Sequence, residues 1–257
     1  MGSSNALAPR PLVTAHTGCE GTAENSLASI VAGVEAGADA VEIDVRATAD
    51  GIGVLLHDSE VSVQGHGTVA VSDLSISDLR RAETRQGRET RVVTEPVVLL
   101  EDALALARDY TTIINLDVKE DSSIPTIIRA VKEFRLTDQV VLSGCSRERA
   151  AAVTAGHPGL RVLLNTEQLE SCADDGDYHK FAMQTYHDAV RAGCCGINID
   201  YKLCRDPLVT FAHQRFLPVS VWTVNTPEEM RRVTALGVFA ITTYEPRLLL
   251  RLLREAA

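Results

Sequence analysis

A (β/α)₈ TIM barrel, of the α/β class, is the fold this sequence predicts, and three observations predict it. Short, continuously apolar runs alternate with helical patterns eight times along the chain, as strands covered on both faces by crossover helices should. The chain has 257 residues, near the roughly 250 typical of one such barrel. The first strand–helix turn carries no G-x-G-x-x-G, which argues against the competing doubly wound open sheet. Residues 1–257 therefore read as a single domain, with no linker, low-complexity segment or finer repeat.

The first strand is Leu12–Ala15, ending at His16, and a polar loop with Gly18 and Gly21 follows. Ser26 to Ala36 reads as a helix, because Leu27, Ile30, Val31 and Val34 are spaced i, i+3, i+4, i+7 and Gly37 stops it. The next stretch, Gly37 to Asp58, organises the rest. Its strand places Val41, Ile43 and Val45 on one face and Glu42 and Asp44 on the other. The chain turns at Ala49-Asp50-Gly51, and a second apolar run, Ile52–Leu56, delivers His57 and Asp58.

Residues 59–95 are polar, with a short helix expected over Ser75–Ala82. The alternation then resumes. Helices are expected over Glu101–Arg108, Ile124–Phe134, Arg147–Ala155, His179–Ala192, Pro207–Gln214, Thr226–Leu236 and Arg247–Arg254. Strands are expected over Thr112–Val118, Gln139–Ser143, Leu160–Leu164, Gly196–Ile199, Pro218–Val224 and Val238–Thr242. Thr226 and Glu229 form a capping box, with Pro227 at the first helical position and Gly237 beyond the end. An acidic loop over 165–178 follows the fifth strand and reads as a solvated loop or a lid.

Composition narrows the function. The chain is 45% hydrophobic but 4% aromatic, so its core is aliphatic. A net charge of -10 argues against nucleic acid, whose phosphates need a basic surface. No apolar run reaches membrane-spanning length, and the N-terminus lacks the basic-then-apolar order of a signal peptide. The six cysteines include no C-x-x-C pair, so they read as reduced thiols of a cytoplasmic protein, with Cys19 a passive small residue rather than a nucleophile. Nothing in the surface pattern marks an oligomeric interface.

Barrel chemistry sits at the C-terminal ends of the strands. Those ends carry His16, then Glu42 and Asp44 with His57 beyond, then Asp117 and Lys119, Ser143, Asn198 with Asp200 and Lys202, Trp222 with Asn225, and Thr242 with Thr243. Two adjacent buried carboxylates are costly unless a cation shares them, and hard oxygen ligands suit Mg²⁺ or Ca²⁺. Zinc is disfavoured by the absence of H-E-x-x-H and of a cysteine pattern. The ion, with Lys119, would neutralise a phosphoryl group, and His16 and His57 are the candidate acid and base.

These residues also carry a resemblance. HTG at 16–18, AENS at 23–26, GADAVEIDVRATADG at 37–51, HD at 57–58, NLDVK at 115–119 and VWTVNTPEEM at 221–230 resemble the motifs of the glycerophosphodiester phosphodiesterase family, in that family's order. The resemblance implies a barrel that hydrolyses a small-molecule phosphodiester with one divalent cation. It implies His16 and His57 as catalytic histidines, Glu42, Asp44 and Asp117 as metal ligands, and Lys119, Trp222, Thr17 and Asn25 as substrate-side residues. Thr17 stands where the family has arginine, Asp117 where it has glutamate, and Tyr244 where it often has Asp or Asn. The first two departures are shared with the spider-venom phospholipase D branch. Two alternatives to hydrolysis therefore stand beside it: a lyase that releases a cyclic phosphate, and a non-catalytic barrel that binds a phosphate ligand.

Overall fold

The computed structural model describes residues 10–63, 67–82, 84–85, 92–93, 97–166 and 175–256. Eight parallel strands form the expected barrel: β1 (Leu12–Ala15), β2 (Ala40–Ala47), β3 (Ile113–Val118), β4 (Val140–Cys145), β5 (Arg161–Asn165), β6 (Gly196–Asp200), β7 (Val219–Trp222) and β8 (Ala240–Thr243). They pair in chain order, and β1 closes the ring by pairing with β2 on one side and β8 on the other. The outer layer is α1 (Leu27–Glu35), α2 (Leu100–Ala107), α3 (Ile124–Phe134), α4 (Arg147–Gly156), α5 (Asp175–Arg191), α6 (Asp206–His213), α7 (Pro227–Ala235) and α8 (Pro246–Glu255). No helix among the described residues is long and apolar enough to cross a membrane.

The apolar core lies between the two layers. Val41, Ile43 and Val45 of β2 and Ile114, Leu116 and Val118 of β3 belong to it and are essentially inaccessible. Alternation then places Glu42, Asp44, Asn115 and Asp117 on the inward faces. The register is fixed: Glu42 lies opposite Asn115, and Asp44 opposite Asp117. A slip of one residue would drive carboxylates into the helix-facing core and valines into the lumen. Helix α1 starts at Ser26, whose side chain accepts from the Ser29 amide, and it sits close against the barrel through Gly33. A Cβ at Gly33 would lie 2.8 Å from both the Ala15 Cβ and the Val41 Cγ1.

The connection from β2 to α2 departs most from the sequence expectation. After the turn at Gly51 (φ 75°), a short strand, Gly53–Leu55, runs antiparallel to the upper end of β2. The polar segment beyond it contains a hairpin, Glu60–Val63 with Gly67–Ala70, and a two-residue pairing of 84–85 with 92–93. The helix expected over Ser75–Ala82 is a single turn, Ile76–Leu79, capped by Ser75. This excursion has its own small core of Val54, Leu56, Val61, Val71, Leu74, Leu79 and Val97. Period-two alternation in so short and polar a hairpin is too weak to signal strands.

Other differences are at boundaries. Helix α5 begins at Asp175 rather than His179, because the polar start of a helix carries no apolar periodicity. Strand β7 stops at Trp222 rather than Val224. Strand β4 runs two residues further than expected, through Gly144 (φ 68°), where a Cβ would lie 2.4 Å from the Asp117 Oδ1. Only glycine permits that approach. Residues 167–174, with Cys172 and most of the acidic loop, and His66 lie outside the described residues.

Gly33→Ala forces α1 off β1 and β2. It should lower stability by about 1–3 kcal/mol, read as a lower urea midpoint at an unchanged slope. An unchanged midpoint would mean that α1 shifts without cost.

Candidate active site

A cavity of about 810 Å³ opens at the C-terminal mouth of the barrel. Its wall includes His16 after β1, Asn25 before α1, Glu42 of β2, His57 of the excursion, Asp117 and Lys119 at the end of β3, and Trp222 of β7. Asp44 lies directly behind, 1% exposed. Strand order brings His16, Glu42, Asp117, Lys119 and Trp222 together, since each stands on or just past one of the parallel strands, while Asn25 and His57 arrive from the connecting segments.

The acids form one cluster. Glu42, Asp44 and Asp117 each place an oxygen within 4.8 Å of the others. Lys119 Nζ reaches Asp44 Oδ1 at 2.7 Å and also pairs with Asp117. Burial works against the lysine's charge, but the facing Asp117, Asp44 and Glu42 outweigh it and hold the ammonium protonated. Burial also opposes ionisation of Asp44, yet Lys119 and the Asn25 amide outweigh it and keep that carboxyl below its usual range. Glu42 is different. Burial, reinforced by Asp44 and Asp117, pushes its carboxyl well above the ordinary range, and Lys119 and the Thr17 amide only partly compensate. With all three acids ionised, the carboxylates exceed the one ammonium by two negative charges, the complement of a hard divalent cation. The all-oxygen donor set fits such an ion and gives no soft ligand for zinc or copper.

Several residues hold this cluster in place. Asn25, in the left-handed region (φ 55°), donates Nδ2 to Asp44 Oδ2 at 2.8 Å and accepts the Asp44 amide at 3.0 Å. Both halves of its amide thus grip one acid of the cluster. Thr17, expected on the substrate side, is 1% exposed and lies outside the cavity wall. Its amide donates to Glu42 Oε2 at 3.1 Å and its hydroxyl accepts from the Asn25 amide at 2.5 Å, so the short side chain is turned into the protein. Ser143 donates to Asp117 Oδ1 at 3.0 Å.

The two histidines are seated differently. His16 Nδ1 lies 2.8 Å from the Thr17 carbonyl, and its ring stacks on Tyr244 with centroids 4.3 Å apart. A carbonyl only accepts, so Nδ1 carries the hydrogen and Nε2 is left as the basic nitrogen. His57 Nδ1 donates to Asp58 Oδ1 at 3.1 Å, and its side chain is 63% exposed. In both rings Nε2 has no protein partner among the described residues.

The sequence reading missed other parts of the wall. Tyr244 donates to Glu24 Oε1 at 3.1 Å, closing one side of the mouth. Arg149 lines the cavity while bridging the Val118 and Gly144 carbonyls at the rim. The Trp222 indole Nε1 is buried without a hydrogen-bond partner among the described residues. Asp200 and Lys202 do not line the cavity, and Asp200 accepts the Lys202 amide instead. Asn225 accepts from the Tyr244 amide at 3.0 Å and ties the β7 and β8 loops together. Cys19 is fully buried, and burial pushes its thiol up to about 11, which leaves it without thiolate character near neutrality.

The glycerophosphoryl diester phosphodiesterase family matches residues 4–248. The chain belongs to that family. Its members are phosphoric diester hydrolases, and the match runs through every motif discussed above. A glycerophosphodiester phosphodiesterase of Caldanaerobacter subterraneus subsp. tengcongensis is 25% identical over 252 residues, covering 96% of this chain and 99% of that one. A crystal structure of a family member from Parabacteroides distasonis superimposes with a TM-score of 0.78 at 20% identity, over 96% of this chain and 98% of that chain. A phosphodiesterase from Oleispira antarctica, solved in complex with the product sn-glycerol-3-phosphate, superimposes with a TM-score of 0.77 at 22% identity, over 95% of this chain and 97% of that one.

The raised Glu42 carboxyl has a sign that can be tested. The folded state holds that proton more tightly than the unfolded state, so without a divalent cation stability falls as pH rises from about 4.5 through the raised value. In chelator at neutral pH, Glu42→Gln should melt higher than the parent. Scanning calorimetry reads it, and a lower midpoint would mean that Glu42 is not a net burden on the metal-free fold.

Proposed function

We propose that the chain hydrolyses a glycerophosphodiester to a phosphomonoester and an alcohol, with Glu42, Asp44 and Asp117 holding a Mg²⁺ or Ca²⁺ ion and His16 and His57 moving the protons. The observation that carries this reading is the convergence of the three acids, Lys119 and both histidines on one cavity of a chain in this family. The product held by the Oleispira antarctica relative supports the glycerophosphate half of the assignment. When bound, the ion withdraws negative charge from the phosphate oxygens and makes the phosphorus more open to attack.

The protein's own groups do the rest. Lys119 places a second positive charge on the phosphate. His16 Nε2, whose tautomer is fixed by the Thr17 carbonyl, takes a proton from the attacking water as its oxygen bonds to phosphorus. His57 Nε2 gives a proton to the departing alkoxide as the phosphorus–oxygen bond breaks. The open position of His57 suits the side from which the alcohol leaves to solvent. Trp222 offers an apolar wall to the substrate. Asn25 and Thr17 support the acids rather than the ligand.

Either histidine replaced by alanine should lower turnover by about 10²–10⁴-fold. His57→Ala, but not His16→Ala, should recover on a diester with a p-nitrophenol leaving group, which needs no proton. Recovery of the His16 variant instead would reverse the assignment. Phosphorus NMR of the products tests the reaction type: a phosphomonoester signal fits hydrolysis, and a persistent cyclic diester would move the chain to the lyase reaction. For the ion, Asp117→Asn should abolish the rise in melting temperature that Mg²⁺ or Ca²⁺ gives the parent. An undiminished rise would remove Asp117 from the site.

A further inference from the structure

Arg46 follows Asp44 by two positions on β2 and is only 8% exposed. A guanidinium so buried must have its donors matched. Its Nε and Nη2 both donate to the backbone carbonyl of His57, at 3.0 and 2.7 Å. Its Nη1 donates to Glu120 Oε2 at 3.0 Å, and Glu120 Oε1 in turn accepts the Ala47 amide at 3.1 Å. The planar fork is thus clamped between a carboxylate tied to β2 and the carbonyl of one residue.

That residue has little else to hold it. Leu55 is the last residue of the excursion in register with β2, and the Leu56 amide still donates to the Asp44 carbonyl at 3.3 Å, so His57 is the first residue beyond that pairing. The described residues give the His57 backbone no hydrogen bond apart from those of Arg46. The one hydrogen bond of the imidazole among the described residues is to Asp58, and His57 lines both the main cavity and a second hollow of about 500 Å³. Packing from the side of that hollow is therefore absent.

We propose that Arg46, braced by Glu120, is a positioning residue that sets the place of the His57 ring through its backbone carbonyl. The proposal rests on the proton-transfer role given to His57 above. A bidentate fork fixes both the direction and the distance of the carbonyl, which a lysine ammonium cannot do. Displacement of a reacting group by about 1 Å costs on the order of 10²-fold in rate.

The test compares the parent with Arg46→Lys, with Arg46→Met combined with Glu120→Gln (so that no carboxylate is left uncompensated), and with His57→Ala. Each is assayed with Mg²⁺ on an alkyl and on a p-nitrophenyl diester of glycerol phosphate, and each is checked by circular dichroism and melting. The combined variant should lose about 10- to 100-fold in kcat on the alkyl diester with KM within about twofold. Its loss should follow the His57→Ala pattern across the two leaving groups, and Arg46→Lys should fall between it and the parent. Parental kcat in a folded combined variant, or a loss that ignores the leaving group while His57→Ala depends on it, overturns the proposal. If the combined variant does not fold, Arg46→Lys decides: parental kcat overturns the proposal, and a loss with the His57 pattern supports it. Full turnover by His57→Ala brings down the reading of His57 itself, whereas a dead His57→Ala beside a fully active Arg46 variant brings down this inference alone.

Discussion

Everything at the mouth depends on a charge imbalance built into two neighbouring strands. Glu42, Asp44 and Asp117 are brought together by the register of β2 against β3, and one lysine from the end of β3 partly offsets them. Isolated carboxylates in such a place would take up protons or unfold the strand. Here Asp44 is kept ionised by Lys119 and Asn25, while burial, reinforced by Asp44 and Asp117, holds the Glu42 carboxyl well above its ordinary range. An unfavourable interaction is therefore concentrated where the three acids meet. The surrounding parts make sense as supports for it: Thr17 and Asn25 donate inward, Ser143 holds Asp117, and Gly144 is bare so that Asp117 has room.

The two histidines complement that arrangement from opposite degrees of order. His16 is pinned by a backbone carbonyl and by the Tyr244 ring, and Tyr244 is itself anchored on Glu24. His57 reaches the mouth from an excursion rather than from a barrel strand, and its ring is largely exposed. A rigid group suits a water molecule that must be aligned with the phosphorus. An accessible group suits alcohols of differing size. Thr17 faces the acids, so the cations of the cavity wall are Lys119, paired with Asp44 and Asp117, and Arg149 at the rim, paired with Asp121.

Much of this was legible in the sequence, for identifiable reasons. The barrel strands are short aliphatic runs between helices with clear caps or stops, and period-two alternation put Glu42 and Asp44 on the face opposite Val41, Ile43 and Val45. The acids, Lys119 and both histidines follow from that alternation and from the rule that strand ends face the chemistry. What could not be read was tertiary. Nothing in the sequence says that Thr17 turns inward, that Asn225 ties two loops, or that Arg46 and Glu120 meet across 74 positions. Arg46 did carry a faint signal, since it shares the alternation of Glu42 and Asp44. The hairpin beyond His57 was missed because its residues are polar and its strands short.

The separate small core beneath the excursion has a further consequence. Val54, Leu56, Val61, Val71, Leu74, Leu79 and Val97 pack with one another rather than with the main core. Regions with few buried contacts open at a lower free energy than the rest of a domain. On warming, the seat of His57 should come apart while the ring of strands and its acids persist. Heating would then begin with a local, reversible loosening of the segment that carries His57, with the acid cluster on β2 and β3 still in place.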